Sequence, residues 1–408
     1  MEDKKEEKKD TQMVTMMLKT MLGVVIFLVV VFCCVFAYIA YTKSQYHRLT
    51  DTGDLKARIV KFGEQYMGNR PHAALAIGVI QKGEVFTKFF GQLSKTNSSP
   101  PDAETIYEIG SITKVFTALT AAQMVADGKL KWDETVADVL PATLALSESV
   151  KPITIKHLAT HMGGLPRMPA NFEMVTEKFD NPYNEYGEDK LKEFLATYKS
   201  KVRPGSKVEY SNLGFALLGY LLEVRAQAPY EELVAKSIFV PLGLTNSHFI
   251  VPNALTNRMA GGHNPDGGAV PNWDWKAFKS TGAIKSTLNE MLAFVQANMN
   301  PEQTKIDPVL EEGQKLHGQA WSGHMGLGWQ LLETLQGDLQ LVWHNGGTGG
   351  FIAFIGFDRK NQMGVVMLSS SGDAMKGDFY LDKLAMEILK LGSKISFEKS
   401  GNAATKSE

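Results

Sequence analysis

Apolar and polar positions alternate in three different rhythms along this chain. The first is no rhythm at all. Residues 21–41, from Met21 to Tyr41, carry no charge. About 20 apolar residues are enough to cross the hydrocarbon core of a bilayer. A cleaved leader has a core of only about 7–15 residues, so the run predicts an uncleaved anchor. A short charged tail, 1–20, precedes it, and a polar linker, 42–56, follows. The second rhythm is a period of two. Ala73 to Val79 and Glu84 to Phe90 read as a strand pair turned at Lys82-Gly83. The third is helical. After Ser111, the residues Ile112, Val115, Phe116, Leu119, Ala122 and Met124 recur at near-helical intervals, and Gly128 stops the run. Leu213 to Val224 is apolar all round and reads as a buried helix. Tyr230 to Ile238 is a further helix, ended by Pro241-Leu-Gly243.

Beyond Gly282 the pattern changes again. Ser286 to Met299 predicts an amphipathic helix capped by Ser286. Gly326 to Glu333, Leu339 to His344, Ile352 to Phe357 and Gly364 to Ser369 predict strands. Tyr380 to Leu391 predicts a closing helix, and 393–408 a polar tail. No segment repeats. The expected fold is α/β. An antiparallel sheet is flanked by N- and C-terminal helices, a large and mainly helical insertion spans about 116–265, and one transmembrane helix precedes the whole. The folded domain is expected over 57–392.

Composition narrows the partners. The 408 residues are 44% hydrophobic and 21% charged, with a net charge of −1. Nothing in that balance suits nucleic acid. Both cysteines, Cys33 and Cys34, lie in the apolar run. The remainder therefore has no disulfide, thiol nucleophile or cysteine metal site. Lys8, Lys9 and Lys19 on one side of the span balance Lys43, Arg48 and Lys56 on the other, so charge does not orient it. Oligomeric state is not fixed by the sequence.

Candidate chemistry begins at Ser111 and Lys114. On a helix, positions i and i+3 share a face. A lysine held in a dry pocket can be neutral enough to take a serine's proton. The spacing recurs at Ser396 and Lys399 in the polar tail, so context must choose. Gly110 supplies a tight entry turn and an apolar helix follows Ser111. A first-turn cap with a solvated lysine is the alternative. Tyr210 sits between a Pro204-Gly205 turn and the buried helix. A phenolate there, beside a lysine ammonium, could act as general base; a core tyrosine with a bonded hydroxyl is the alternative. Leu341 to Ile352 reads as a strand ending in glycines, where backbone can approach a substrate closely. The amides of Ser111 and Gly347 form a candidate oxyanion pair; a glycine-rich hairpin without ligand is the alternative. No G-x-G-x-x-G opens a helix, which argues against a nucleotide. His157 and His161 are four apart, but Leu158 stands where H-E-x-x-H needs a glutamate. No metal and no cofactor are expected.

Ser111-Ile-Thr-Lys114, Tyr210-Ser-Asn212 and His344-Asn-Gly346, in that order, resemble the three motifs of the serine β-lactamase and D-alanyl-D-alanine peptidase family, in its class C β-lactamase branch. Leu158-Ala-Thr-His-Met-Gly-Gly-Leu-Pro166, Pro241-Leu-Gly-Leu-Thr245 and Gly346-Gly-Thr-Gly-Gly-Phe351 are similar too. The likeness covers about Ala57 to Leu391. It implies that Ser111 is acylated, that Lys114 and Tyr210 share the proton work, and that Tyr210 later activates water. It implies that Asn212, His344, Gly346 and Gly347 bind substrate. The substrate would be a β-lactam, a D-alanyl peptide or a small ester; the alternative is a penicillin-binding sensor or scaffold with little turnover. One motif departs. Class C enzymes typically carry Lys-Thr-Gly where this chain has His-Asn-Gly, as some peptidase and esterase relatives do. Neutral His344 and the amide of Asn345 replace a fixed charge and a hydroxyl, which weakens the case for β-lactams. Specificity is expected from cleft walls at 167–200 and 253–278. The resemblance also places the domain outside the cytoplasm on a single-pass membrane anchor, in the periplasm if the cell is bacterial.

Overall fold

The computed structural model describes residues 54–172, 181–320, 323–333, 340–373, 377, 379–395 and 397, and six positions between 21 and 32. The chain divides into two units, Met1–Gly53 and Asp54–Glu408. In the first, Met21, Gly23, Val24, Phe27, Val31 and Phe32 are helical. No helix among the described residues is long and apolar enough to cross a membrane. Most of the 21–41 run lies outside the described residues, as does the Ser396/Lys399 pair.

The second unit is built on an eight-stranded antiparallel sheet. Its strands are β1 (Ala74–Gln81), β2 (Glu84–Gly91), β5 (Gly318–Ala320), β6 (Gly323–Met325), β7 (Gln330–Glu333), β8 (Gln340–Gly347), β9 (Ile352–Asp358) and β10 (Met363–Ser369). They lie in the order β2-β1-β10-β9-β8-β7-β6-β5. Lys82 and Gly83 take φ of 50° and 85°, the turn the sequence asks for. β1 pairs with β10 from Leu75↔Ser369 to Gln81↔Met363, which joins the two ends of the domain.

Both faces of this sheet are covered, so β1, β9 and β10 are buried along their whole length. Successive side chains of a strand point to opposite faces. At Gly364 the added Cβ would meet Val295 and Met299, and Gly392 lies against Met363. Helix Leu288–Met299 therefore packs on one face and helix Tyr380–Gly392 on the other. The latter shares its face with helix α1 (Leu55–Met67), which Asp54 caps by accepting a 3.0 Å bond from Lys56 N. Leu55, Ile59, Phe62 and Tyr66 are its buried stripe. Each such burial stabilises by about 1.5–3 kcal/mol relative to exposure.

Two short strands, β3 (Ile106–Glu108) and β4 (Lys285–Thr287), pair with each other. Between them the chain is helix and loop: α2 (Thr113–Ala126), α3 (Ile155–Ala159), α4 (Glu188–Thr197) and α5 (Asn212–Ala226) are its main helices. α6 (Leu288–Met299) and α7 (Tyr380–Gly392) are the two helices already placed on the sheet. α2 and α5 are buried over most of their circumference, as the sequence predicts for α5.

Four expectations need correction. Ser286 is not a cap: 285–287 are drawn into β4, and Thr287 caps α6 by accepting from Glu290 N. Ser286 is instead buried and bonded to Ser247. Of Gly326 to Glu333, only 330–333 is strand, because Gly328 takes φ 68° and turns the chain. The strand expected at Leu339 to His344 runs on to Gly347. The tail does not leave the domain at 393: Phe397 is buried, and its N–H donates to Gln81 Oε1 at 2.7 Å.

Candidate active site

The nucleophile turn is shaped by Gly110. Its φ is 51°, and a Cβ there would stand 2.7 Å from Gly347 N. Only glycine meets both conditions. Ser111 follows in a tight turn, Gly110–Ile112, which runs into α2. The end of β8 lies directly against this turn. A Cβ at Gly346 would come 1.9 Å from Ile109 O and 2.9 Å from Ser111 N. The missing side chains thus bring the Ser111 and Gly347 amides to one place.

Lys114 is completely buried. Its Nζ stands 2.9 Å from Ser111 Oγ and donates to Thr281 O at 2.9 Å. Burial drives its pKa well below the ordinary lysine value, and the positive charge of Arg167 lowers it further. The same Nζ is 5.0 Å from the centre of the Tyr210 ring. Burial pushes the Tyr210 phenol up to about 12, although the nearby Ser111 hydroxyl and the charge of Arg167 pull the other way. The phenolate expected from sequence is therefore the unfavourable state, and burial disfavours the charged form of the amine beside it.

Asn212 opens α5 behind the cap Ser211, whose Oγ accepts from Gly214 N at 2.8 Å and donates to Pro166 O at 2.6 Å. Asn212 Nδ2 contacts Met168 Sδ at 3.6 Å. Its Oδ1 is buried with no protein partner.

His344 is fully buried. Its Nδ1 lies 2.5 Å from Asn345 O, and its Nε2 has no partner. Burial and the nearby Lys114 push it down to about 3, so it is a neutral wall of the site. Asn345 departs from expectation. Strand alternation turns it to the opposite face, where its Nδ2 donates to Asp382 Oδ2 on α7 at 2.5 Å. That amide is committed within the fold.

Several residues here were not singled out by sequence. Thr281 acts through its backbone carbonyl, which no side-chain pattern reveals. Glu108 is buried, accepts from Trp273 N at 3.1 Å and lies 3.9 Å from Lys285 Nζ. It ties the nucleophile strand to β4 and to one cleft wall. His161 does not share a helical face with His157, because α3 ends at Ala159 and His161 takes φ 59°. Its Nδ1 accepts from Ser211 N at 3.1 Å, and its ring lies 4.5 Å from that of Tyr210. His157 Nδ1 is occupied by Thr154 N.

A serine, a buried uncompensated lysine and a tyrosine, set where a sheet end meets a helical insertion, define a class of acyl-transfer serine hydrolases. The chain belongs to the β-lactamase family: the family's model, described as "Beta-lactamase", matches residues 60–390. It is accordingly a serine hydrolase of the β-lactamase and D-Ala-D-Ala carboxypeptidase kind. It is 25% identical over 351 residues to a β-lactamase of Pseudomonas fluorescens, covering 78% of this chain and 94% of that one. It is 25% identical over 310 residues to the D-alanyl-D-alanine-carboxypeptidase/endopeptidase AmpH of Escherichia coli (strain K12), covering 72% and 78%. Its fold matches the crystal structure of a class C β-lactamase from Rhodobacter sphaeroides with a TM-score of 0.71 and 20% identity, over 81% of this chain and 98% of that one.

Proposed function

We propose that this chain hydrolyses its substrate through an acyl-Ser111 intermediate. The observation that carries the reading is Lys114: a fully buried amine, 2.9 Å from Ser111 Oγ, with no carboxylate among its hydrogen-bond partners. Neutral Lys114 takes the Ser111 proton as Oγ bonds to the substrate carbonyl carbon. The carbonyl electrons move onto oxygen, where the Ser111 and Gly347 amides hold them. Removing one such donor typically costs about 10²–10³ in rate. The C–X bond then breaks, the leaving group receives a proton through Tyr210, and Lys114 passes its extra proton to Tyr210. Water repeats the sequence on the ester, with Tyr210 and Lys114 sharing its proton. Asn212 accepts the N–H of the acyl part.

A D-alanyl peptide or small ester fits better than a β-lactam. His344 offers no positive charge and Asn345 is bound to Asp382, so the third motif holds no obvious counterpart for a β-lactam carboxylate. A steady-state panel of nitrocefin, a D-Ala-D-Ala peptide and a p-nitrophenyl ester on the chain from Asp54 tests this. Turnover of peptide or ester that Ser111→Ala abolishes is expected. Equal turnover by that variant sinks the reading, and one-time acylation without release favours the sensor alternative.

The charge-free run 21–41 supports a single-pass anchor, with the hydrolase part on the extracytoplasmic side. Alkaline extraction should leave the full chain in the membrane pellet and release a chain that begins at Asp54. Protease added to cells stripped of any outer membrane, with the inner membrane intact, should digest the domain; its survival there contradicts that orientation.

A further inference from the structure

Arg167 stands beside this site, and among the described residues it has no partner of opposite charge. It is exposed, and its Cζ lies 5.0 Å from the centre of the Tyr210 ring. Its backbone carbonyl accepts from Asn212 N at 3.1 Å and Leu213 N at 3.3 Å, which fixes it to the start of α5. Arg70, Arg225 and Arg258 are each paired, with Asp373, Glu134 and Glu104. Among the described residues no carboxylate pairs with Arg167. Its guanidinium acts on Lys114, Tyr210 and His161 alike.

The rest of the site makes that charge conspicuous. Burial lowers the pKa of both Lys114 and His344. Arg167 adds a fixed positive charge beside the reacting groups, 5.0 Å from the centre of the Tyr210 ring. On the same wall, Asn212 Oδ1 is a buried acceptor awaiting a donor. An N–H acceptor next to a guanidinium suits an acyl group that carries an amide and a free carboxylate. The geometry of an arginine fork matches a carboxylate in two parallel hydrogen bonds.

We propose that Arg167 is a specificity residue that pairs with a carboxylate on the acyl portion of the substrate, beside Asn212. The substrate class is then an acyl donor bearing a free acid on its acyl side, distinct from any acid on the leaving group. This rests on the acyl-Ser111 reading.

The probes are p-nitrophenyl hydrogen adipate and p-nitrophenyl hexanoate, which match in chain length and leaving group and differ in the terminal carboxylate. Wild type should prefer the adipate by about two- to fivefold in kcat/KM, the size of one exposed charge pair. Arg167→Gln should bring the ratio of the two esters to about 1, and Arg167→Lys should keep part of the preference. Any general effect of the variant on Lys114 or on folding lowers both esters together and cancels in the ratio. A wild type without the preference, or a ratio unchanged in Arg167→Gln, overturns the proposal. Ser111→Ala separates the two claims. If it retains ester turnover, the acyl-Ser111 reading fails; if it is inactive while the ratio ignores Arg167, only the assignment of Arg167 fails.

Discussion

Lys114 shows how one residue's surroundings set its chemistry. Burying an ammonium without a counter-charge costs several kcal/mol, and this lysine has only Ser111 Oγ and Thr281 O to bond. Its folded pKa is accordingly depressed, first by burial. In the proposed mechanism the working form is the deprotonated one. Activity should therefore be lost as pH falls through that depressed pKa, and be fully present well below the usual lysine range near 10.4. A pH profile of kcat/KM with a p-nitrophenyl ester checks this. Lys114→Arg, which cannot deprotonate, should lose at least about 10³ in rate, in the range of a general base; a variant within tenfold of wild type contradicts the role. At this scale the sequence singled out Ser111, Lys114 and Tyr210 by their spacing and neighbours, and Asn212 by the family resemblance. It did not reveal Thr281, whose contribution is a carbonyl. Nor did it reveal the protonation of Tyr210, which depends on burial by distant segments.

At the scale of elements, β8 is the instructive case. Its glycines end the strand against the nucleophile turn, as the sequence suggested. Its period of two, however, sends His344 and Asn345 to opposite faces, and a motif read as three consecutive letters hides that. Asn345 meets Asp382 on α7. Burial raises the Asp382 carboxyl from an ordinary 3.8 to about 7, against the pull of the Asn345 bond. The native state thus binds a proton there that the unfolded chain has released. Stability from this group is full below about pH 4 and falls as pH rises from about 4 to about 7. Asp382→Asn removes that dependence. The melting temperature of the variant relative to wild type should therefore climb between pH 4 and pH 7.5; a constant difference across that range contradicts the account. The helix start at α6 was misread for a related reason. Ser286 and Thr287 are equally good caps in isolation, and only the pairing of 285–287 with 106–108 excludes the first.

For the whole molecule, the fold explains why three segments so far apart in sequence converge. β1 and β10 pair, so the domain's ends close one sheet around β8 and β9. The helical part begins after β3 and returns through β4, a separate strand pair outside that sheet, and carries Tyr210 and Asn212 to Ser111. The motif order and the change from helical to strand rhythm near Gly282 made this architecture legible. The short strands β5 and β6 were not, because three-residue pairings leave no periodicity to read. The central claim is that this convergence makes Ser111 the activated nucleophile. Reaction with a fluorophosphonate, followed by intact mass and peptide mapping, tests it most directly. One adduct per chain on the peptide containing Ser111, absent in Ser111→Ala, is the predicted result. An unmodified Ser111 with the adduct on another residue, or undiminished labelling of the variant, would contradict it.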